Sequence, residues 1–304
     1  MPDKTSDTTS EDLYPPQIFD PPQAEIDKIL PHLAWPSRTL RVLGESVQGQ
    51  GVIFDLGDGR VVKTGRAVSV NEAKAMIFVR THTSIPVPQV YMVFKHDGLT
   101  HIVMEHIDGV DLRAAQRLGA NGEWSLNGGM VTEEGMRSIV EHLYRIIEEL
   151  RELGRRFPLK EPRFGSWPEG PFRNSHFSVD PPTSSYSTYA DFHRYFLGRL
   201  EANYSNDSIY EDLQKFMEES PRDITPALSH GDLADRNVLV KDNRIVAIVD
   251  WETFGWYPDF WEVMSLWTSR MGPSLLDAVQ TVFGKPNLEA YTYRFVTACF
   301  CQPF

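Results

Sequence analysis

Two short apolar runs on either side of a turn lie within SHGDLADRNVLVKDNRIVAIVDWE, residues 229–252. The runs NVLV and RIVAIVD flank Lys-Asp-Asn, a turn signal, and the pattern predicts a β-hairpin. Pairing Val240 with Ile245 leaves Asn237 and Asp250 offset by only about two residues, or roughly 7 Å along the strands. The sequence therefore predicts that both polar side chains emerge at the open end of one hairpin.

The polar residues at this hairpin end have the chemistry of a metal-assisted reaction. An Asn amide oxygen and a carboxylate are oxygen ligands that Mg²⁺ accepts, with phosphates and waters completing the octahedron. Asp232 lies on the loop before the first strand, where a carboxylate can accept a hydroxyl proton while the metal holds a phosphate. Asp and Asn are also common in turns, and that alternative would be preferred for any one of them alone. Three such residues together favour the shared chemical role.

The bulk composition bounds the class of protein and its partners. A chain of 304 residues with 41% hydrophobic and 24% charged residues can form one large domain or two lobes with a buried core. The formal net charge of −12 argues against a general binder of nucleic acid or of anionic membranes, because both need a basic field. We expect no nucleic-acid partner and no membrane partner, and the sequence does not indicate an oligomeric state.

Cysteine use and the first residues predict the compartment. The two cysteines, Cys299 and Cys301, are separated by one residue, which is poor spacing for a disulfide and excludes a disulfide framework. The start MPDKTSDTTSEDLYPP has no apolar core of a secretory signal, and no apolar run has the length of a membrane span. These features predict a reduced, cytoplasmic location.

The residue composition and hydrophobic pattern along the chain predict three segments. Residues 1–35 are polar, acidic and rich in proline, and they predict a flexible N-terminal arm. Residues 36–107 contain short β-like runs, a hairpin turn at 57–59 and one helix in SVNEAKAMIFVRTH, and they predict a small, mostly antiparallel sheet. Residues 108–304 have a helical character, with apolar residues at helical spacing after the expected N-cap Thr132. Further helices are predicted at Thr188–Tyr204, at Ser208–Glu219 and in YPDFWEVMSLWTSR, with an irregular stretch at 160–185.

The motif HGDLADRNVLV…IVDWE resembles the catalytic and metal-binding segment of the aminoglycoside phosphotransferase and choline kinase-like enzymes. It is most similar to the fungal branch of small-molecule kinases, in which DWE is followed by a Gly and a Trp/Pro-rich segment, as in FGWYPDFWE here. The similarity runs from about residue 40 to about residue 270. It implies a two-lobed, α+β, protein-kinase-like fold with a nucleotide-binding sheet lobe and a helical catalytic and acceptor-binding lobe. The implied activity is Mg²⁺-dependent transfer of the γ-phosphoryl group of ATP, or alternatively of GTP, to a hydroxyl of a small molecule.

The resemblance carries roles onto individual residues of the motif. Asp232 would be the catalytic base or would orient the acceptor hydroxyl, and His230 would hold the loop in shape. Asn237 and Asp250 would be the Mg²⁺ ligands. Glu262 in FWEV matches an acidic residue that braces the loop, although Asp259 is close enough in sequence to compete.

A nucleotide kinase also needs a cation on the phosphates. Lys63 ends the apolar strand RVVK and matches the family's phosphate-binding lysine, although a solvated lysine at a strand end is the better interpretation in isolation. Glu72 matches the helix glutamate that pairs with this lysine. Ser69 to Glu72 is also a capping-box pattern, in which Glu72 only closes its own helix start. We favour the ion pair, as part of the phosphate site.

The remaining nucleotide contacts are less specific. Gly49 and Gly51 lie in GESVQGQGVIF, which lacks the G-x-G-x-x-G run of protein kinases, so its backbone amides can either cradle phosphates or form an ordinary hairpin. HIVMEHIDGVDL resembles the interlobe linker, whose backbone from Glu105 to Ile107 would hold the adenine with Met104 behind it. The alternative is a buried strand that leaves the sheet, and the two are compatible.

One departure lies inside the loop, where relatives have His-Pro or similar and this chain has Ala234-Asp235-Arg236. Asp235 and Arg236 either form a local ion pair or shape the acceptor site. A protein kinase is a weak alternative, because DWE replaces DFG and no A-P-E segment is present.

The acceptor is not specified by the sequence. An amino sugar, a choline-like amine, a sugar and a secondary metabolite all remain open. Aromatic residues beside acidic ones can hold an amine by cation–π contact, although each alone is better explained as core. These candidates are Trp167, Phe172, Phe177, Tyr189 and Phe192. A catalytically silent kinase-fold nucleotide-binding or regulatory protein is the rival, which the presence of Lys63, Asp232, Asn237 and Asp250 disfavours.

Overall fold

The structure, a computed structural model, describes residues 14–33, 40–45, 51–118, 124–126, 131–173, 182–204, 211, 214–215, 224–267 and 271–285. The chain forms two units. The first consists of Met1–Asp108 together with Ala247–Glu252, and the second of Gly109–Val246 together with Thr253–Phe304. The first unit thus includes a short segment from late in the chain, and this segment contains Asp250.

An antiparallel sheet of five strands forms the centre of the first unit. The strands are β1 (Arg41–Glu45), β2 (Val52–Asp55), β3 (Arg60–Gly65), β4 (Val90–His96) and β5 (Leu99–Glu105), in the order β1-β2-β3-β5-β4. The turn between β2 and β3 contains Gly57 and Gly59 at φ angles of 78° and 84°, which glycine adopts at little cost. The predicted turn at 57–59 and the predicted antiparallel sheet are both present.

The two faces of β3 have different environments because side chains alternate along a strand. Val62 points into an apolar cluster with Phe54 and Val103 from the neighbouring strands. Lys63 is the next residue and points to the opposite face. It contacts Glu72 of the helix at Val70–His82 on that face, and this register is what brings a strand lysine and a helix glutamate together.

Two helices occupy much of the segment that the sequence predicts to be a flexible arm. They are α1 (Pro16–Phe19) and α2 (Gln23–Leu33), and the helix at Val70–His82 is therefore α3. In α2 the apolar residues Ile26, Ile29, Leu30 and Leu33 recur at helical spacing and pack on the apolar cluster of the sheet, with Ile29 only 3% exposed. The arm prediction is thus wrong for α2, because this apolar stripe is buried.

The second unit is mainly helical, as the sequence predicts. Its helices are α4 (Leu112–Ala115), α5 (Glu133–Arg156), α6 (Tyr189–Tyr204), α7 (Trp261–Leu266) and α8 (Pro273–Phe283). Thr132 is the N-cap of α5, because its Oγ1 accepts from Gly135 N at 3.0 Å. The predicted apolar stripe of α5 is buried along its whole length. It comprises Met136, Ile139, Val140, Leu143, Ile146, Ile147, Leu150 and Leu153.

Short strands complete the fold. They are β6 (Val110–Asp111), β7 (Gln116–Leu118), β8 (Trp124–Leu126), β9 (Gly165–Ser166), β10 (Pro226–Ser229), β11 (Val238–Lys241), β12 (Arg244–Ile248) and β13 (Gly255–Pro258). They form the sheets β10-β13-β9, β12-β11-β6 and β7-β8. The predicted hairpin is β11–β12, and its two turn residues Asp242 and Asn243 have positive φ angles of 49° and 63°, typical of a tight hairpin turn. Tyr257 and Pro258, which the sequence places at the start of a helical segment, instead belong to β13, and α7 begins at Trp261.

An aromatic cluster forms a core of the second unit. It contains Phe164, Phe172, Tyr189, Phe192, Phe196, Tyr257, Phe260, Trp261 and Met264, all at most 9% exposed. Phe172, Tyr189 and Phe192 are therefore core residues rather than a surface for an amine. Trp167 packs at 5.7 Å between ring centroids on Phe254.

Some sequence predictions fall outside the described residues. These are Phe177, both cysteines and most of the helix predicted at Ser208–Glu219. Among the helices that the structure describes, none combines the length and the hydropathy needed to cross a membrane.

Candidate active site

Lys63 is the centre of a charged cluster in the first unit. Its Nζ donates to Glu72 Oε1 and to Asp250 Oδ1, both at 2.7 Å, and lies 3.8 Å from Glu252 Oε2. The side chain of Glu72 is 1% exposed and that of Lys63 is 11% exposed. Burial alone would lower the pKa of Lys63, but the attraction of the three carboxylates outweighs it and raises this pKa above its usual value. Lys63 is therefore a permanent cation.

Glu72 makes the strand-to-helix ion pair rather than a capping box. Ser69 Oγ accepts from Asn71 N at 3.2 Å, and Glu72 N donates to the backbone oxygen of Ser69 at 3.0 Å. The carboxylate of Glu72 is turned toward Lys63 instead. Of the two alternatives that the sequence leaves open, the structure contains the ion pair.

The same carboxylates form a group that can hold a metal ion. One oxygen from each of Glu72, Asp250 and Glu252 lies within 4.8 Å of the others. Three carboxylates around one lysine leave an excess of negative charge, and hard oxygen donors at this spacing suit Mg²⁺. Asp250 is 36% exposed at its side chain and has a positive φ of 67°, an uncommon backbone conformation that Asp tolerates better than most residues.

In the second unit, the loop His230–Gly231–Asp232 is held by its peptide groups. Glu262 accepts two bonds with its carboxylate, from His230 N to Oε2 at 3.0 Å and from Gly231 N to Oε1 at 2.8 Å. This is the brace predicted for Glu262, whereas Asp259, the competing residue, is exposed. Glu262 is only 2% exposed, so it fixes the loop from within the core.

The remaining peptide groups of this loop are bound by other side chains. Thr253 Oγ1 donates to His230 O at 2.7 Å, and Trp261 Nε1 donates to Gly231 O at 2.9 Å. His230 Nδ1 accepts from Asp232 N at 3.3 Å. Asn237 Nδ2 donates to Asp232 O at 2.8 Å. All six peptide N–H and C=O groups of the three residues are thus bound by side chains.

Gly231 is required by this packing. Its φ is +87°, and a Cβ placed on it would lie 2.5 Å from Thr253 O and 2.8 Å from Tyr257 Oη. Any other residue would both strain the backbone and displace the groups that bind the loop. His230, next to it, is fully buried.

The carboxylate of Asp232 accepts hydrogen bonds from Asn237 and Arg236. Asn237 Nδ2 donates to Asp232 Oδ2 at 3.1 Å, and the guanidinium of Arg236 forms an ion pair with the same oxygen. Because Asn237 directs its amino group at Asp232, its amide oxygen is the atom suited to a cation. Asp232 and Asn237 are thus in direct contact, and the catalytic role of Asp232 and the metal-binding role of Asn237 stay predictions.

Asp235 and Arg236 do not pair with each other. Arg236 binds Asp232, and Asp235 Oδ1 accepts from Arg113 Nε and NH2 at 3.1 and 2.8 Å. Of the two alternatives that the sequence leaves open, the structure therefore excludes the local ion pair, because the 3₁₀ turn at Asp235–Asn237 directs the two side chains to different partners.

The linker after β5 presents one backbone donor. Glu105 N donates to Gln89 O at 2.9 Å, and His106 N donates to Gly59 O at 3.0 Å. The N–H of Ile107 makes no hydrogen bond to another described residue. Met104 is 8% exposed on β5, immediately before this linker. Ile107 is thus the residue of the predicted adenine-binding stretch whose N–H can donate to a ligand.

The glycine loop is only partly described. Gly49 and most of the loop lie outside the described residues. Gly51 precedes β2, and a Cβ there would meet Val68 and Thr64 O only at ordinary contact distances of 3.7 and 3.8 Å. Glycine is not sterically required at that position.

Several residues that support these clusters were not identified from the sequence. Thr253 and Trp261 hold the loop, and Arg113 and Glu252 add charges to the two clusters. The crowding of aromatic and polar residues in DWETFGWYPDFWE was the available signal. No local sequence signal pointed to Arg113, because its partner Asp235 is 122 residues away.

Glu262 should make stability depend on pH. Burial raises its pKa to about 7 from 4.5, although the N–H groups of Gly231 and His230 oppose this. Between these two values the folded protein keeps a proton that the unfolded chain loses, so stability falls as the pH rises. The free energy of unfolding of the wild type, relative to Glu262→Gln, should fall by up to about 3 kcal/mol from pH 4.5 to pH 8.

Urea denaturation of both proteins across this pH range measures the difference. Asp259→Asn, which removes an exposed acid from the same segment, is the matched control. A difference between the wild type and Glu262→Gln that does not change with pH would show that the two N–H bonds offset burial, so that folding leaves the pKa of Glu262 unchanged.

Comparisons with known proteins assign the fold and the family. A search of curated proteins finds no match. Among solved structures, the chain is similar to aminoglycoside phosphotransferase APH(4)-Ia, with a TM-score of 0.56 and 19% identity over 91% of this chain and 90% of that one. It is similar to aminoglycoside-3'-phosphotransferase of type VIII, with a TM-score of 0.55 and 17% identity over 90% and 98%. Macrolide 2'-phosphotransferase MphH from Brachybacterium faecium matches with a TM-score of 0.50 and 19% identity over 91% and 88%.

These similarities confirm the predicted α+β, protein-kinase-like fold. The model of the phosphotransferase enzyme family APH matches residues 59–294, which include Lys63, Glu72, Asp232, Asn237 and Asp250. This match covers well over half of the chain and confirms the predicted family. The chain therefore belongs to the APH phosphotransferase enzyme family and is a small-molecule phosphotransferase.

Proposed function

We propose that the enzyme transfers the γ-phosphoryl group of ATP to a hydroxyl group of a small molecule in the presence of Mg²⁺. The observation that carries this proposal is that one chain contains both the Lys63–Glu72–Asp250 cluster and an Asp232 fixed on a braced loop. The first is suited to a nucleotide phosphate and the second to an acceptor hydroxyl. Neither cluster alone would indicate group transfer.

The nucleotide would be bound by residues of the first unit. The Ile107 N–H, which makes no hydrogen bond to another described residue, would donate to an adenine ring, and Lys63 would supply a positive charge for the phosphates. A structure of a thermostable mutant of APH(4)-Ia, to which this chain is also similar, is a ternary complex with AMP-PNP and hygromycin B. We propose ATP as the donor, with GTP as the alternative.

The metal would be held by oxygen donors. Asp250, with a carboxylate within 4.8 Å of those of Glu72 and Glu252, and the amide oxygen of Asn237 fit the preferences of Mg²⁺. When bound, Mg²⁺ neutralises charge on the phosphate oxygens. Lys63 would exchange part of its contact with Asp250 for the nucleotide, while Glu72 keeps it in place.

Asp232 would act on the acceptor. Its carboxylate would accept the proton of the acceptor hydroxyl as the bond from that oxygen to the γ-phosphorus forms and the bond from the γ-phosphorus to ADP breaks. Because the loop is already bound by side chains, the carboxylate needs little reorganisation, and positioning would contribute much of the rate enhancement. The acceptor is an amino sugar, a choline-like amine, a sugar or a secondary metabolite. The cytoplasmic location and the absence of a nucleic-acid partner stay predictions.

An acceptor screen with γ-labelled ATP and Mg²⁺ tests the proposal. Amino sugars, choline-like amines and simple sugars are offered to the wild type, with Asp232→Asn as the blank. Transfer of label to one class, absent from the blank, is the expected result. Tight nucleotide binding without turnover on any acceptor or on water would contradict the proposal and support the silent, regulatory alternative.

A further inference from the structure

Two arginine–carboxylate pairs surround the catalytic loop. The guanidinium of Arg236 binds Asp232 Oδ2, and Arg113 binds Asp235 Oδ1. In the Arg113–Asp235 pair the carboxylate is buried, since the side chain of Asp235 is only 2% exposed. The first pair is closer to solvent, with the side chain of Arg236 42% exposed. The two pairs therefore differ in what they can contribute.

The pair of Arg236 with Asp232 is a poor source of stability. An ion pair whose arginine is 42% exposed contributes only about 0–1 kcal/mol to folding, because solvent screens the guanidinium and the arginine loses rotamer freedom. Its geometry is specific, however. Arg236 and Asn237 Nδ2 both donate to the same oxygen, Oδ2. Two donors on one oxygen restrict rotation of the carboxylate about its Cβ–Cγ bond.

Arg236 itself is held in place by its backbone. It occupies the 3₁₀ turn at Asp235–Asn237, whose first residue is anchored by Arg113 of α4. The next strand, β11, pairs with β6 through Leu239 and Asp111, the residue before α4. The turn is thus attached at both ends to one short stretch of chain, and this attachment limits where the Arg236 guanidinium can lie.

We propose that Arg236 is a positioning residue for phosphoryl transfer, which fixes the plane of the Asp232 carboxylate relative to the acceptor hydroxyl, while the Arg113–Asp235 pair holds the turn that carries it. This inference rests on the proposed function. Reacting groups must meet within a narrow range of distance and angle, so a carboxylate that rotates freely is a slower base. The guanidinium makes a charge-assisted bond that is stronger than that of Asn237 alone.

Steady-state hydrolysis of ATP with Mg²⁺, with water as the acceptor, tests the proposal in the full-length protein. Arg236→Ala should lower kcat by about tenfold or more, with KM for ATP and calorimetric ATP binding unchanged. Arg236→Lys should retain most of the rate, because an ammonium can still bind Oδ2, and Arg236→Gln should be intermediate. Millimolar guanidinium added to Arg236→Ala should restore part of the rate. Arg244→Ala, which removes an exposed arginine from β12, should match the wild type with and without guanidinium.

The possible outcomes distinguish a positioning role of Arg236 from a purely structural one. Wild-type turnover by Arg236→Ala would overturn the inference. So would a parallel loss of ATP binding and thermal stability in Arg236→Ala and Arg236→Lys without rescue, since that pattern describes a structural residue. If Arg236→Ala does not fold, the Lys and Gln variants decide by their kcat at unchanged KM. Absence of turnover on water and on every acceptor of the screen by the folded, ATP-binding wild type would instead refute the proposed function, and the inference with it.

Discussion

Replacing Asp232 by Asn should lower the rate of phosphoryl transfer by about 10²–10⁴-fold. The amide has nearly the shape of the carboxylate but cannot accept the hydroxyl proton. Binding of ATP should be unchanged, because the Lys63 cluster is formed by other residues. Transfer kinetics with the acceptor from the screen, together with calorimetric ATP titration, measure the two effects separately.

The matched control for this variant is Asp242→Asn, which makes the same chemical change at an exposed turn residue of the β11–β12 hairpin. Its kinetics should equal those of the wild type. Transfer at the wild-type rate by Asp232→Asn would exclude Asp232 as the base and leave it at most an orienting role through hydrogen bonding.

Replacing Lys63 by Ala should have the largest combined effect on stability and activity. It leaves the carboxylate of Glu72, 1% exposed, beside Asp250 and Glu252 with no cation between them. Removing one partner of a buried pair costs about 3–5 kcal/mol of folding free energy, because the remaining charge is uncompensated. ATP turnover should disappear with the phosphate-binding charge. Urea denaturation and ATP hydrolysis measure the two losses.

A second substitution distinguishes the two roles of Lys63. Lys63→Met combined with Glu72→Gln removes both buried charges, so much of the stability should return while the activity does not. Lys95→Ala, at an exposed position of β4, is the control for loss of a lysine from the same sheet. A cost below about 1 kcal/mol for Lys63→Ala would show that the cluster is hydrated like a surface pair.

The Lys63–Glu72 pair shows how far local sequence could predict the site. The strand and the helix were both evident from their patterns, and the capping box and the ion pair both place Glu72 in the first turn of α3. The choice between them depends on which face of β3 carries Lys63, and this depends on the pairing of β3 with its neighbours. Local pattern therefore identified the two residues, and tertiary register decided their contact.

The residues of the loop His230–Asp232 could be predicted from the sequence, but the side chains that bind its peptide groups could not. HGDL and Asn237 are contiguous and recognisable, whereas Thr253 and Trp261 lie 23 and 30 residues from the loop residues that they bind. No local rule predicts which later side chains will bind the peptide groups of this loop. The aromatic residues near 160–192 were ambiguous for a related reason, since core packing and ligand contact require the same side chains.

Helix α2 illustrates a conflict between composition and pattern. The segment up to residue 35 is rich in proline, and Pro31 even lies inside the helix. The apolar spacing of Ile26, Ile29 and Leu33 was nonetheless present. Its burial against the sheet outweighs the weak local propensity, because tertiary packing supplies most of the stability of a short helix.

The side-chain bonds to the loop His230–Asp232 have a consequence for when its order is established. All six of its peptide N–H and C=O groups already have hydrogen-bond partners within the protein, so none of them needs a substrate as its partner. The loop loses its conformational entropy during folding, so ordering it does not reduce the affinity for either substrate. Amide protons of His230 and Gly231 should therefore exchange with solvent only through extensive unfolding, at rates that nucleotide and acceptor leave nearly unchanged.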